Sequence, residues 1–158
     1  MPAGAKPIPE EFHTITPHLV VQNVTEAMAF YQKAFGAIER FSLPLPDSKT
    51  VMHGELKIGD SIIFLGMEGP ASECKSPLTL KGSPVTLFLY VEDVNAVFNQ
   101  AVAAGAKAIM PVQDMFWGDR TGTLEDPFGH RWMVATHIED LSPEETARRA
   151  REFFSSKA

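Results

Sequence analysis

Histidine and glutamate residues at strand-like spacing are the side chains of this chain that could carry acid–base or metal chemistry. His53 and Glu55 are two residues apart, so on a β-strand both would point to one face. His18 shares its parity with Thr16 on an earlier strand-like segment and could face the same cleft. Together, His18, His53 and Glu55 could supply a general base or the ligands of a divalent ion. Alternatively, His53 and Glu55 form a polar strand face or a hydrogen-bonded pair, since no HxH or HExxH spacing supports a metal site.

Trp117-Gly118-Asp119-Arg120 is a second group that could bind a ligand, in a predicted loop before the last hairpin. In one interpretation the loop closes over a cleft, Trp117 stacks on a ligand and Arg120 pairs with a ligand carboxylate or phosphate. In the other, Asp119 and Arg120 form a local salt bridge and Trp117 is a packing residue. Aromatic residues at strand spacing, which are typical of a core, occur at Phe88, Tyr90, Phe116 and Trp132.

Composition and charge restrict the class of protein. The chain has 158 residues, of which 44% are hydrophobic and 22% charged, as in ordinary globular domains. A net charge of −6 without a basic stripe argues against nucleic acid, and the apolar run Ser61–Met67 is too short to span a bilayer. The single cysteine, Cys74, excludes an intramolecular disulfide, and Met1–Glu11 lacks the apolar region of a signal peptide. We therefore expect a cytoplasmic protein that binds neither nucleic acid nor membrane.

The predicted secondary structure repeats once along the chain. Each half begins with a strand, continues with a helix capped by Asn23 or Asp93, and ends that helix at Gly36 or Gly105. Strands are predicted at 14–21, 38–45, 51–58 and 61–67, and again at 85–91, 106–111, 122–125 and 131–137. The landmarks match at an offset of about 70 residues, which is one supersecondary unit per half. The repeat predicts an α+β fold of two βαβββ modules whose curved mixed sheet surrounds a cleft.

The segments outside the repeat set the expected domain organisation. Residues 1–12 are predicted to be a flexible tail, and residues 13–140 the domain. Its modules span about 13–68 and 84–138, joined by a Pro-, Ser- and Gly-rich linker at 69–83. Ser142-Pro143-Glu144-Glu145 has capping-box spacing, which predicts a C-terminal helix within 141–158.

The paired modules and the run Asp126-Pro127-Phe128-Gly129-His130-Arg131-Trp132 before the last strand resemble the vicinal oxygen chelate superfamily. That superfamily includes glyoxalase, bleomycin resistance proteins and extradiol dioxygenases. The stretches His53-Gly54-Glu55-Leu56 and Met115–Arg120 are similar to its PhnB-like branch. The resemblance covers about residues 14–138 and implies the glyoxalase/bleomycin resistance/dioxygenase fold. It also implies a homodimer.

The resemblance implies one metal-ligand position on the first and last strand of each half. These positions carry over to Thr16, Phe64, Thr86 and Met133, whereas His or Glu would be typical. The chain therefore resembles the bleomycin resistance branch, which binds its ligand without a metal, and no cofactor is predicted. A divalent metal is disfavoured.

Two functions from different classes follow, and whether the chain is an enzyme stays open. The first is a small-molecule-binding protein with a largely apolar cleft, whose candidate ligand-binding residues are His18, Thr16, Phe64, Thr86, Phe88, Trp117, Arg120 and Met133. The second is a lyase, isomerase, transferase or dioxygenase-type enzyme in which His53 and Glu55 are catalytic, with or without a relocated divalent metal. A third interpretation is an interaction module whose cleft is filled by its own side chains.

Overall fold

The chain divides into two compact units, and the boundary in the sequence lies between Ser83 and Pro84. The computed structural model describes residues 4–46, 48–70 and 73–156. The first unit contains β1 (His18–Val21), α1 (Val24–Phe35), β2 (Ile38–Pro44), β3 (Val51–Ile58), β4 (Ser61–Met67) and α2 (Pro77–Leu80). The second contains β5 (Thr86–Tyr90), α3 (Val94–Ala104), β6 (Lys107–Asp114), β7 (Asp119–Glu125), β8 (Arg131–His137) and α4 (Pro143–Ser155).

The first unit is a four-stranded mixed sheet in the order β1-β4-β3-β2, with β1 parallel to β4. Because side chains alternate along β3, Gly54, Leu56 and Ile58 are buried. A Cβ on Gly54 would lie 2.7 Å from the Met28 sulfur, which shows how closely α1 approaches this face. We call the opposite face, from which the His53 side chain projects, the far face of the first sheet.

The second unit repeats the arrangement, with the order β5-β8-β7-β6 and β5 parallel to β8. A Cβ on Gly122 would lie 2.6 Å from the Phe98 ring, so α3 lies on that face of β7. Thr136 fixes the start of α3, since its hydroxyl accepts from the Val94 amide at 2.9 Å. The face away from α3, which carries Phe88 and Met133 at paired positions, is the far face of the second sheet.

The helix ends follow their predicted caps. Asn23 Oδ1 accepts from the Glu26 amide at 3.1 Å, and Asp93 Oδ1 accepts from the Ala96 amide at 3.0 Å. Gly36 ends α1 in the left-handed conformation, as its position after the apolar face predicted. Ser142 likewise caps α4, where its hydroxyl accepts from the Glu145 amide at 3.2 Å.

Some element boundaries differ from the prediction. β1 begins at His18 instead of residue 14, so Thr16 precedes the strand. The predicted linker contains the short helix α2, capped by Ser76. β7 begins at Asp119, so the prediction of a loop through Arg120 is wrong for its last two residues. Within the described ranges, no helix is both long and apolar enough to cross a membrane.

Candidate functional site

The far face of the first sheet brings together the histidine and glutamate residues that the sequence singled out. Glu55 pairs in register with Phe64, and His18 pairs with Phe64 from the other side. The His53 ring centroid lies 5.3 Å from that of Phe64 and 6.2 Å from that of His18. His53 Nε2 is 3.7 Å from Glu55 Oε1. The prediction that His53 and Glu55 share one strand face is thus confirmed, and they project away from α1.

His18 lies against the backbone of β4. A Cβ on Gly66 would fall 2.3 Å from His18 Nε2, so only glycine leaves room for the ring there. Partial burial lowers the pKa of His18, and the neighbouring His53 lowers it further. The His18 imidazole is therefore held toward its neutral form, which can both donate and accept a hydrogen bond.

A cavity of about 600 Å³ adjoins this cluster. Glu55 and Phe64 form its sheet side, and the remaining wall comes from the chain before β1. That wall is the tail segment, which we define as residues 7–14, together with Thr16. Its lining side chains are Pro7, Ile8, Pro9, Phe12, His13, Thr14 and Thr16. A cavity with mostly apolar walls and few polar groups is the usual form of a small-molecule site.

Polar and aromatic contacts hold the tail segment on the sheet. The Phe12 ring lies 5.7 Å from that of Phe64, and the Arg40 guanidinium lies 5.7 Å from the Phe12 centroid. Glu11 accepts hydrogen bonds from Lys57 Nζ at 2.8 Å and from Arg40 Nη1. These bonds, from Lys57 first and Arg40 second, lower the pKa of Glu11 to about 2. No periodic pattern in the sequence marks Glu11 and Phe12, so neither could be predicted as a site residue.

The residues at the four metal-ligand positions that the resemblance implies do not fit a divalent ion. Thr16 and Phe64 belong to the first unit, and Thr86 and Met133 to the second. Hydroxyl, phenyl and thioether groups lack the charge and basicity of the imidazole and carboxylate ligands that such an ion requires. Among residues 4–46, 48–70 and 73–156, no group of three or more His, Cys, Asp or Glu side chains could hold a metal ion.

Asp119 organises a second polar cluster, on the far face of the second sheet. Its Oδ2 accepts from the Tyr90 hydroxyl at 2.9 Å and from Trp117 Nε1 at 3.0 Å. Its Oδ1 lies 2.7 Å from His137 Nδ1, so that nitrogen carries a proton and donates. His137 Nε2 lies 3.0 Å from Asp140. A carboxylate that is only 3% exposed thus fixes three side chains from different elements.

The same contacts shift the pKa values of Asp119, Tyr90 and His137. Burial by itself would raise the pKa of Asp119, but the hydrogen bonds from His137, Tyr90 and Trp117 lower it below the ordinary value. The bond to Asp119 raises the pKa of Tyr90. Bonds to Asp119 and then to Asp140 raise the pKa of His137. Asp119 is therefore a carboxylate, and His137 binds a proton more readily than an ordinary histidine.

The other predicted ligand residues of the second unit are divided between its two faces. Phe88 and Met133 are register partners on the far face, and the Phe88 ring lies 5.0 Å from that of Tyr90. Thr86 begins β5 and is exposed. Arg120 instead shares the α3-bearing face with Gly122 and donates to Asp114 at 2.5 and 3.0 Å. The structure thus does not bring Arg120 together with Phe88 and Met133.

Curated proteins similar to this chain come from bacteria and a plant. The uncharacterized protein Rv0887c of Mycobacterium tuberculosis is 38% identical over 134 residues, which is 83% of this chain and 78% of that protein. The uncharacterized protein At5g48480 of Arabidopsis thaliana is 32% identical over 120 residues, 72% of each chain.

Solved structures share the fold. The At5g48480 product of Arabidopsis thaliana matches with a TM-score of 0.63 and 31% identity, over 78% of this chain and 98% of that one. TioX from Micromonospora sp. ML1 matches with a TM-score of 0.61 and 26% identity, over the same shares. The PhnB protein from Bacillus cereus, 18% identical with a TM-score of 0.62, covers 78% of this chain and 99% of its own, and shows the fold alone.

The family assignment follows from these matches and from the fold. The two four-stranded mixed sheets with their helices confirm the predicted α+β architecture of paired βαβββ modules. Residues 12–134 match the model of the Glyoxalase/Bleomycin resistance protein/Dioxygenase superfamily. The chain therefore belongs to the glyoxalase/bleomycin resistance protein/dioxygenase superfamily.

Proposed function

We propose that this chain binds a small, largely apolar molecule in the cavity on the far face of the first sheet, without a metal ion. The observation that carries the proposal is the cavity of about 600 Å³ between the tail segment and the sheet. Phe12 and Phe64 supply flat apolar surface at ring-centroid distances of ordinary aromatic contact. A ligand of modest size would bury most of its surface there.

Polar groups at one side of the cavity would orient the ligand. Glu55 lines the cavity and is half-buried beside His53. A carboxylate accepts hydrogen bonds, so it would select a ligand with a hydroxyl or amino donor. Thr14 and Thr16 also line the cavity, and their hydroxyls would add weaker hydrogen bonds.

The metal-free part of the proposal rests on the chemistry of the side chains. Thr16, Phe64, Thr86 and Met133 stand at the positions that the resemblance implies for the metal ligands, and they offer no charged ligand. The ligand-binding roles predicted for Thr86, Phe88, Trp117, Arg120 and Met133 of the second unit stay predictions, as does a shared cleft between the two sheets.

Binding of the neutral fluorescent probe N-phenylnaphthylamine tests the proposal. We expect a saturable rise in fluorescence with wild-type protein, unchanged after dialysis against a chelator. Thr16→Trp should fill the cavity and weaken binding by about tenfold or more, because an indole would occupy the ligand's space. Thr25→Trp, on the exposed face of α1, is the matched control and should bind like wild type. No saturable binding, or equal binding by both variants, would contradict the proposal.

An enzyme that moves a proton is the second candidate function. It is favoured by the distance of 3.7 Å between His53 Nε2 and Glu55 Oε1 on a face directed away from α1. In this arrangement Glu55 would take a proton from the ligand, and His53 would orient the carboxylate or return the proton. The reaction class would be isomerase, lyase or transferase chemistry at a carbon next to a carbonyl group.

Exchange of a small molecule's α-protons for deuterium measures that candidate activity. In D₂O, the wild-type protein should exchange α-protons of some members of a panel of small ketones and hydroxy acids, as followed by NMR. Glu55→Gln should slow this exchange by about 100-fold or more, the usual contribution of a general base. Glu39→Gln, also on the first sheet, removes the same charge at a position paired with Leu56 and should leave the rate unchanged. Equal rates in both variants would exclude Glu55 as the base.

Homodimer formation and a cytoplasmic location stay predictions. Large apolar side chains that are exposed in the single chain, such as Ile38 and Phe41 on β2, support pairing with a second copy. A gel-filtration mass of one chain would count against it.

A further inference from the structure

We infer that Arg40 and Lys57 form a binding site for an anionic group of the ligand, and that Glu11 of the same chain occupies this site until the ligand displaces it. The inference rests on the proposed function, since it concerns the ligand of the same face of the first sheet. It adds the chemical class of that ligand: a carboxylate, sulfonate or phosphate attached to an apolar body.

Two cations converge on one carboxylate. Lys57 Nζ donates to Glu11 Oε1 at 2.8 Å, and Arg40 Nη1 donates to Glu11 Oε2, so each oxygen has its own cation. The side chains of Arg40 and Lys57 are only 27% and 29% exposed, whereas that of Glu11 is 47% exposed. The two cationic side chains are therefore less exposed than the carboxylate that binds them.

The first sheet itself aims both cations at this point. Lys57 follows Glu55 by two residues on β3, which places it on the far face about 7 Å further along the strand. Arg40 lies at a register shift between Glu39 and Phe41, where β2 departs from regular pairing. Such bulges redirect one side chain, and here the redirected guanidinium lies over the Phe12 ring. Arg40 therefore contacts Phe12, and Phe12 in turn lines the cavity.

The backbone conformation of Glu11 favours replacement of its contact with Arg40 and Lys57 by a ligand anion. Glu11 has φ of 67°, the left-handed region that a residue with a Cβ adopts at a cost. Neighbouring Phe12 is held by aromatic contact, and Glu11 by these two cations. A ligand anion would keep Arg40 and Lys57 paired and would release the strained residue. Exchange of one anion for another leaves neither cation without a partner, so it is less costly than removing Glu11 with nothing in its place.

The inferred ligand fits the charges on the far face. On β3, His53 Nε2 lies 3.7 Å from Glu55 Oε1. Two residues further along, Lys57 shares the Glu11 carboxylate with Arg40 of β2. A molecule bound along this strand would place its anion at Lys57 and a hydrogen-bond donor at Glu55. Its apolar body would lie against Phe12 and Phe64. Arg40 and Lys57 thus determine which end of the ligand faces β2.

Two fluorescent probes with the same aromatic body separate charge recognition from apolar binding. Anilinonaphthalene sulfonate carries an anion, and N-phenylnaphthylamine does not. Glu11→Gln keeps the size of the side chain and removes its charge, so it vacates the cationic pair. We expect this variant to bind the sulfonate about tenfold more tightly than wild type, with the affinity for the neutral probe changed by less than about threefold. Near-UV circular dichroism checks that the fold is retained.

Glu10→Gln is the matched control, since it removes one charge from a neighbouring position that pairs with Lys6 instead. This variant should bind both probes as wild type does. Adding Arg40→Gln and Lys57→Gln to Glu11→Gln should remove the gain for the sulfonate. A gain equal for both probes, or equal in the Glu10 and Glu11 variants, would overturn the anion site while leaving the apolar cavity in place. Loss of both probes by Glu11→Gln alone would show that Glu11 holds the cavity wall and would overturn the anion site, whereas no binding of either probe by wild type as well would overturn both proposals.

Discussion

Replacing Asp119 with alanine is expected to destabilise the protein by about 3 kcal/mol, because three side chains lose a charged acceptor. Tyr90, Trp117 and His137 all donate to this carboxylate, which is 3% exposed. Hydrogen bonds to a charged group contribute about 1.5–3 kcal/mol each, but partners in one network do not add fully. Tyr90 and His137 are exposed and can bind water instead, so the cost comes mainly from the lost bonds to the carboxylate.

Asp114→Ala is the matched control for this prediction. Asp114 also accepts two hydrogen bonds, from Arg120, but its side chain is 57% exposed. Exposed ion pairs contribute little, so we expect a much smaller loss of stability. Urea unfolding followed by circular dichroism measures the free energy of both variants. A loss for Asp119→Ala no greater than that for Asp114→Ala would show that the cluster does not hold the second unit together.

The pH dependence of stability reports the same cluster. The pKa of His137 is raised from 6.5, so its contribution is fully present below pH 6.5 and is lost as the pH rises through the raised value. The pKa of Asp119 is lowered from 3.8, so its contribution is present above pH 3.8 and is lost as the pH falls through the lowered value. The His137–Asp119 pair therefore stabilises the fold most between pH 3.8 and pH 6.5. In Asp119→Asn, the free energy of unfolding should fall less than in wild type as the pH rises through the raised pKa of His137.

Local features of this fold could be predicted from the sequence because their causes lie within a few residues. Asn23 caps the helix that follows it, and Gly36 ends that helix, through contacts inside one or two turns. Strand β3 was predicted at Val51–Ile58 from its alternation, and the same alternation placed His53 and Glu55 on one face. The repeat of these local signals was sufficient to indicate the paired modules.

Contacts between distant segments were not predictable in the same way. Glu11 meets Lys57 across 46 positions of the chain, and nothing near Glu11 marks it as a partner of β3. The Asp119 cluster likewise joins β5, β7 and β8, whose registers the sequence does not determine. Arg120 was expected to face a ligand because the start of β7 was placed too late, and the true start puts Arg120 on the face with Gly122. Errors in strand boundaries thus become errors in which face a side chain occupies.

Gly118→Ala is expected to destabilise the second unit by about 3 kcal/mol, from two separate causes. Gly118 has φ of 95°, where a residue with a Cβ is strained. In addition, a Cβ there would lie 2.3 Å from the backbone oxygen of Glu139. That segment must then move, although the Ile138 and Glu139 amides both donate to the Gly118 oxygen at 3.0 Å. The substitution would thus disturb the turn that presents Trp117 to Asp119.

Gly36→Ala separates the two causes, since it introduces a Cβ at a positive φ without an obstacle. Gly36 has φ of 66°, and a Cβ there would meet no described atom within 4 Å. The expected loss is about 1 kcal/mol, the cost of the left-handed conformation alone. Thermal and urea unfolding give both values, and Trp117 fluorescence reports whether the indole leaves its acceptor. If the two variants lost the same stability, backbone conformation alone would account for Gly118. A larger loss for Gly118→Ala with altered Trp117 emission would instead show that close approach of residues 138–139 holds the Asp119 cluster in place.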